Sequence, residues 1–129
     1  MKIKMIASLL LVVAACLISA CVSTVDGHMT PGVPFVKDTI ESRYERPLPQ
    51  LMAAAKEVLK RNGQLIGDNT ITQTLEAKVN TRSVWVRFAE VDQRVTKVTV
   101  QARSKAGGAD IDLASEIDKQ IALQLAAAR

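Results

Sequence analysis

Aromatic side chains are almost missing: the chain of 129 residues has four, Phe35, Tyr44, Trp85 and Phe88. Any core must therefore be aliphatic, built from Val, Ile, Leu and Ala. Histidine occurs once, as His28, within a stretch punctuated by Gly27, Pro31, Gly32 and Pro34. A Ser-His-Asp site needs its histidine fixed beside the serine, and a histidine-based metal site needs several ligands, so neither is expected of this chain alone. Cysteine occurs only at Cys16 and Cys21, which leaves no disulfide framework and no thiolate metal site for the rest of the chain. Strong charge is missing too. The formal charge is +4, from 17 basic and 13 acidic residues. Lys2 and Lys4 precede the apolar run and no acid does, so the remainder carries 15 bases against 13 acids, a net +2. Nucleic-acid binding draws on a concentrated basic surface, which this balance does not supply.

What is present begins at the N-terminus. Met1-Lys2-Ile3-Lys4 is a short positive region, and Met5 to Ile18 is almost wholly apolar. At about 14 residues the run is shorter than the ~20 that a membrane span needs. It has the length and flanks of the hydrophobic region of a secretory signal. Small residues, Ser19 and Ala20, then precede Cys21. Leu17-Ile18-Ser19-Ala20-Cys21 resembles the bacterial lipobox, in which an aliphatic and two small residues precede a cysteine. The resemblance implies that residues 1–20 are a lipoprotein signal peptide, removed before Cys21. It also implies that Cys21 takes an S-diacylglycerol group and an N-palmitoyl group. A second match, Val13-Ala14-Ala15-Cys16, stands a little earlier. Processing at Cys16 would shorten the apolar region to about 11 residues, so Cys21 is the expected site. One acyl chain anchors only marginally, whereas two or three hold firmly. Val22, rather than Asp, follows the cysteine, which by the same resemblance points to the outer membrane, facing the periplasm.

Residues 21–37 show no helical or strand period and read as a lipidated N-terminus and flexible tether. Residues 38–129 read as one small domain of two-layer α+β class. Thr39 to Glu45 alternates as a first strand, with Ile40, Ser42 and Tyr44 on one face. Pro49 to Asn62 has helical spacing at Leu48, Met52, Ala55, Val58 and Leu59, closed by Asn62-Gly63, with the glycine suited to a left-handed cap. Gln64 to Gly67 is a short extended segment. Thr72 to Asn80, Ser83 to Ala89 and Thr96 to Arg103 alternate apolar and polar residues between polar turns, the pattern of an antiparallel meander. Asp110 or Asp112 is placed to cap a last helix, in which Leu113, Ile117, Ile121 and Leu125 recur with Ala114, Ala122 and Ala128 beside them. The expected order is β-α-β-β-β-α: about four strands with two helices on one face.

Arg46-Pro47-Leu48, Val58-Leu59-Lys60-Arg61-Asn62-Gly63, the run VDQRVTKVTVQAR ending at Arg103, and a Gly-Asp segment before an amphipathic helix resemble a family of small bacterial lipoproteins of unknown function. They are similar, more loosely, to the helix-grip repeats of the C-type accessory lipoprotein of the outer-membrane β-barrel assembly machinery. The resemblance implies a fold and a location, and no activity.

Chemistry is sparse. Glu41 with Glu45 and Asp110 with Asp112 are the carboxylate pairs, but strand-face and helix-start roles explain them. Gly107-Gly108 lacks the spacing of a phosphate loop. The outward face of the meander gathers Trp85, Arg87, Lys78, Lys97 and Arg103, a face suited to a protein partner, an anionic headgroup or a glycan. The sequence thus predicts a non-catalytic, membrane-anchored envelope module without cofactor or metal. A protein partner is expected and nucleic acid is not. The alternative is a small-ligand or lipid-binding module with a pocket between sheet and C-terminal helix.

Overall fold

A computed structural model describes residues 21–23, 29–31 and 38–127. The leader, Cys16, His28 and Ala128 lie outside the described residues. The stretch read as tether contains a small antiparallel ladder, β1 (Cys21–Ser23) against β2 (Met29–Pro31), where the sequence showed no strand period.

The main body runs β3 (Thr39–Tyr44), α1 (Leu48–Asn62), β4 (Gln64–Asn69), β5 (Thr74–Val79), β6 (Arg82–Glu90), β7 (Thr96–Arg103) and α2 (Ile111–Ala127). The sheet is antiparallel throughout in the order β3-β7-β6-β5-β4. The α+β class and the single helical layer match the expectation, but this sheet has five strands. The extra one is β4, an edge strand whose pairing slips at Ile66, so that Leu65 faces Ala77 and Gly67 faces Glu76. One added residue of this kind is a β-bulge, and it breaks the alternation that would have announced a strand.

The inward side chains of the sheet are Leu75, Ala77 and Val79, then Val84, Val86 and Phe88, then Val98, Val100 and Ala102. Against them α1 lays Leu48, Leu51, Ala54, Ala55, Val58 and Leu59, and α2 lays Leu113, Ala114, Ile117, Ile121 and Leu125. Helix α1 covers β4, β5 and β6, α2 covers β7 and β3, and the helices touch each other. Leu51 is fully buried and Met52 only partly so, which turns the apolar stripe of α1 slightly from the one the sequence indicated. Ala122 is exposed and fills nothing.

Turn chemistry sets the strand ends. Asn69 Oδ1 accepts from the backbone N–H groups of Ile71 (3.0 Å) and Thr72 (3.1 Å), and Gln73 is left-handed at φ 54°. Strand β5 therefore starts at Thr74, two residues after the position its alternation indicated. Asp92 Oδ1 accepts from Arg94 N (2.8 Å) and Val95 N (2.9 Å) and closes the β6–β7 turn. Gly63 is extended (φ −174°), contrary to the left-handed cap expected of it. A Cβ there would lie 2.0 Å from the carbonyl oxygen of Lys78, so glycine is required by the approach of β5 and not by backbone conformation. At α2 the cap is Asp110, whose Oδ1 accepts from Leu113 N at 3.0 Å.

Candidate functional site

The outward face follows from the pleat, since every second residue of a strand points away from the helices. The register sets Lys78, Ser83 and Arg103 side by side across β5, β6 and β7. The next row is Glu76, Trp85, Gln101 and Thr39, and beyond it come Thr74, Arg87, Thr99 and Glu41. All five residues singled out in the sequence share this face, but they do not form one patch. Lys78, Trp85 and Arg103 stand at one end. Lys97, opposite Ala89 and Arg43, stands at the other, roughly 20 Å along β7 from Arg103. Lys97 is partnered by Glu41 at 3.9 Å, and Arg87 and Lys78 are exposed.

Trp85 and Arg103 are not the open side chains that the sequence suggested. Trp85 is 7% exposed and Arg103 4%. Trp85 lies between the loop after β4 and the loop after β7, and it lines a cleft with each. The first cleft, of about 410 Å³, runs along Asp68–Thr72 and Glu76. The second, of about 210 Å³, is walled by Ser83, Arg103 and Ser104–Gly107.

A buried guanidinium needs a counter-charge. Asp38, just before β3, supplies it: Arg103 Nη2 donates to Asp38 Oδ2, which also accepts from Gln101 Nε2 at 2.6 Å. Arg103 Nη1 donates to the Gly107 carbonyl at 3.1 Å. Two buried donors in this neighbourhood, Arg103 Nε–H and Trp85 Nε1–H, find no acceptor. Sequence reading missed Asp38 and Gln101, because a pairing across more than sixty positions leaves no local pattern.

A second polar group ties α2 to the edge strand β3. Ser42 Oγ donates to Asp118 Oδ2 at 2.7 Å and the Tyr44 hydroxyl donates to Asp118 Oδ1 at 3.0 Å. Burial and then the Asp118 carboxylate push the Tyr44 phenol well above its ordinary range, so it remains a donor at physiological pH. Beyond Tyr44 the sheet and α2 diverge into an open cleft of about 640 Å³ lined by Tyr44, Glu45, Arg46, Ala122, Leu125 and Ala126. Between sheet and α2 lie the buried aliphatic side chains of the core.

In each carboxylate pair one member has a basic partner of its own. Asp110 is held by Leu113 N–H and by Arg82 Nη1 at 3.0 Å; these two bonds, in that order, hold its carboxyl below the usual range. Glu41 faces Lys97. Among the described residues no three of His, Cys, Asp and Glu stand where they would hold a metal ion, and no helix is long and apolar enough to cross a membrane.

A family model described as "Protein of unknown function (DUF3568)" matches residues 3–124. Comparison with curated proteins gives no match. Among solved structures, the chain is similar to the di-domain ARO/CYC StfQ from the steffimycin biosynthetic pathway. The TM-score is 0.51 and the identity 8%, over 69% of this chain and 43% of that one. Likeness at that identity concerns the fold alone, and this chain corresponds to less than half of the larger protein.

Proposed function

The chain belongs to the DUF3568 family of unknown function, and from that premise we propose that it is a lipid-anchored envelope lipoprotein acting as a non-catalytic interaction module. The observation that carries the reading is Leu17-Ile18-Ser19-Ala20-Cys21 at the end of a short apolar run behind Lys2 and Lys4. In this reading residues 1–20 are removed, Cys21 carries the diacylglyceryl and palmitoyl chains, and residues 38–129 hang from the outer membrane into the periplasm. Two or three acyl chains make such attachment stable. The likeness to the accessory lipoprotein of the β-barrel assembly machinery belongs to this reading too, as the kind of role an anchored small domain performs.

The interaction part is supported by the loop after β4. Ile71 is 93% exposed and lines the same cleft as Trp85. An apolar side chain standing in water beside a buried tryptophan suits contact with a protein partner. Labelled palmitate tests the anchor. The wild-type protein takes up label, and Cys21→Ser leaves an unlabelled, unprocessed precursor. Label retained in Cys21→Ser and lost in Cys16→Ser would move the attachment to Cys16.

The second reading is a small-ligand module. It is favoured by the cleft beyond Tyr44, which continues past Arg46 and Leu125 into a further groove of about 360 Å³ between the helices. Native mass spectrometry checks it, and Leu125→Trp, which fills the shared wall, should abolish any co-purified mass.

A further inference from the structure

The cleft between Trp85 and the loop after β7 combines three features. Its two deepest side chains, Trp85 and Arg103, are more than nine-tenths buried, and each holds a donor without an acceptor. A buried unsatisfied donor costs on the order of 1–3 kcal/mol. An apolar residue in place of Trp85 would cover the sheet without that cost, so the indole N–H is not explained by packing. The guanidinium is oriented by two bonds, Nη2 to Asp38 and Nη1 to the Gly107 carbonyl, and its Nε–H has no acceptor.

The second feature is the surrounding charge. Lys105 stands on the wall of the cleft, and Lys78 reaches its edge through Ser83 Oγ at 3.2 Å. The carboxylate of Asp38 is engaged by Arg103 and Gln101. The third feature is a pair of hydroxyls: Ser83 and Ser104 line the cleft, whose surface is otherwise mostly apolar. Two buried donors without acceptors behind the cleft, two hydroxyls and two lysines at its wall and edge, with no acid among its lining residues, suit the acceptor oxygens of a phosphate.

We propose that this cleft is an oxyanion site that takes a phosphate group, with Arg103 Nε–H and Trp85 Nε1–H as its buried donors and Lys105 at its mouth. The volume of about 210 Å³ admits a phosphate and one ester arm. Both donor nitrogens are closed to water, so the phosphate engages them by displacing the 104–107 loop. That loop is a short turn held by Gly107 N to Ser104 O (2.9 Å), Ser104 N to Gly108 O (2.8 Å) and Gly108 N to Ser104 Oγ (3.2 Å), with Gly107 left-handed at φ 89°; its displacement also releases Arg103 Nη1 from the Gly107 carbonyl. The phosphate belongs either to a lipid headgroup or to a free anion, and the chemistry at the site is the same. The proposal does not depend on the lipid anchor.

Trp85 is the only tryptophan of the chain, so its emission reports on the cleft directly. The purified protein is titrated at constant ionic strength with inorganic phosphate and with short-chain, water-soluble phosphatidylglycerol, and binding is read in parallel by calorimetry. A saturable change with either probe supports the site. Response to the lipid alone assigns the headgroup, and response to inorganic phosphate assigns the free anion. Trp85→Phe keeps a ring but loses the N–H, and calorimetry should show about tenfold weaker binding, the size expected for one hydrogen bond to a charged acceptor. Lys105→Ala, an exposed change that keeps the reporter, should weaken binding several-fold. The proposal is overturned if neither probe binds, if chloride moves the emission as phosphate does, or if Trp85→Phe binds as tightly as the wild-type protein.

Discussion

Gly63 illustrates how single residues hold this fold. Its place at the end of α1 suggests a left-handed cap, but the constraint is the Lys78 carbonyl 2.0 Å from where a Cβ would stand. Gly63→Ala should cost about 2 kcal/mol, in the range of overpacked cores, and denaturant titration measures it. Asp110 acts by charge. Removing it deletes the cap of α2 and the partner of Arg82, so Asp110→Ala should lose about 1 kcal/mol at neutral pH. The sign of its pH dependence follows from the lowered pKa. The folded carboxylate holds its charge to lower pH than the unfolded one, so the stabilisation is complete above the ordinary aspartate value of about 3.9. It is lost as pH falls from there through the folded value. The gap between wild type and Asp110→Asn should narrow across that acid window and stay constant above it. Asp38 carries the larger consequence. Without it Arg103 remains a buried, uncompensated cation, and Asp38→Ala should destabilise by about 3 kcal/mol, whereas removing both groups in Asp38→Ala with Arg103→Met should recover most of that loss.

At the scale of elements, edge strand β3 is the informative one. Among the described residues it pairs only with β7, and α2 supports it through Ser42, Tyr44 and Asp118. Asp118→Ala should therefore raise amide exchange in β3 and at the start of the 44–46 segment, leaving β5 and β6 protected; hydrogen-exchange mass spectrometry distinguishes the two regions. The central elements were legible in the sequence because their periods were clean. Val84, Val86 and Phe88 or Val98, Val100 and Ala102 admit one strand register, and Leu113, Ile117, Ile121 and Leu125 admit one helix face. Strand β4 was legible only as a short extended segment, because a bulge at Ile66 breaks its alternation and an edge strand needs no continuous apolar face. The outer face was legible as a list of residues. Its burial was not, because the cover over Trp85 and the counter-charge on Arg103 come from distant segments.

For the whole molecule, the proposed reading is a two-layer domain held by lipid at its N-terminus. Sheet and helices enclose an aliphatic core, and the surface carries the clefts on either side of Trp85, the apolar tip at Ile71 and the groove beyond Tyr44. In the proposed reading such a domain would meet a partner at the membrane that holds it, which makes the attachment the central claim. The intact mass of the protein extracted from membranes tests it most directly. The account predicts a chain that begins at Cys21 and carries the mass of a diacylglyceryl group and a palmitoyl chain. A mature chain of unmodified mass, or one that retains residues 1–20, would contradict it.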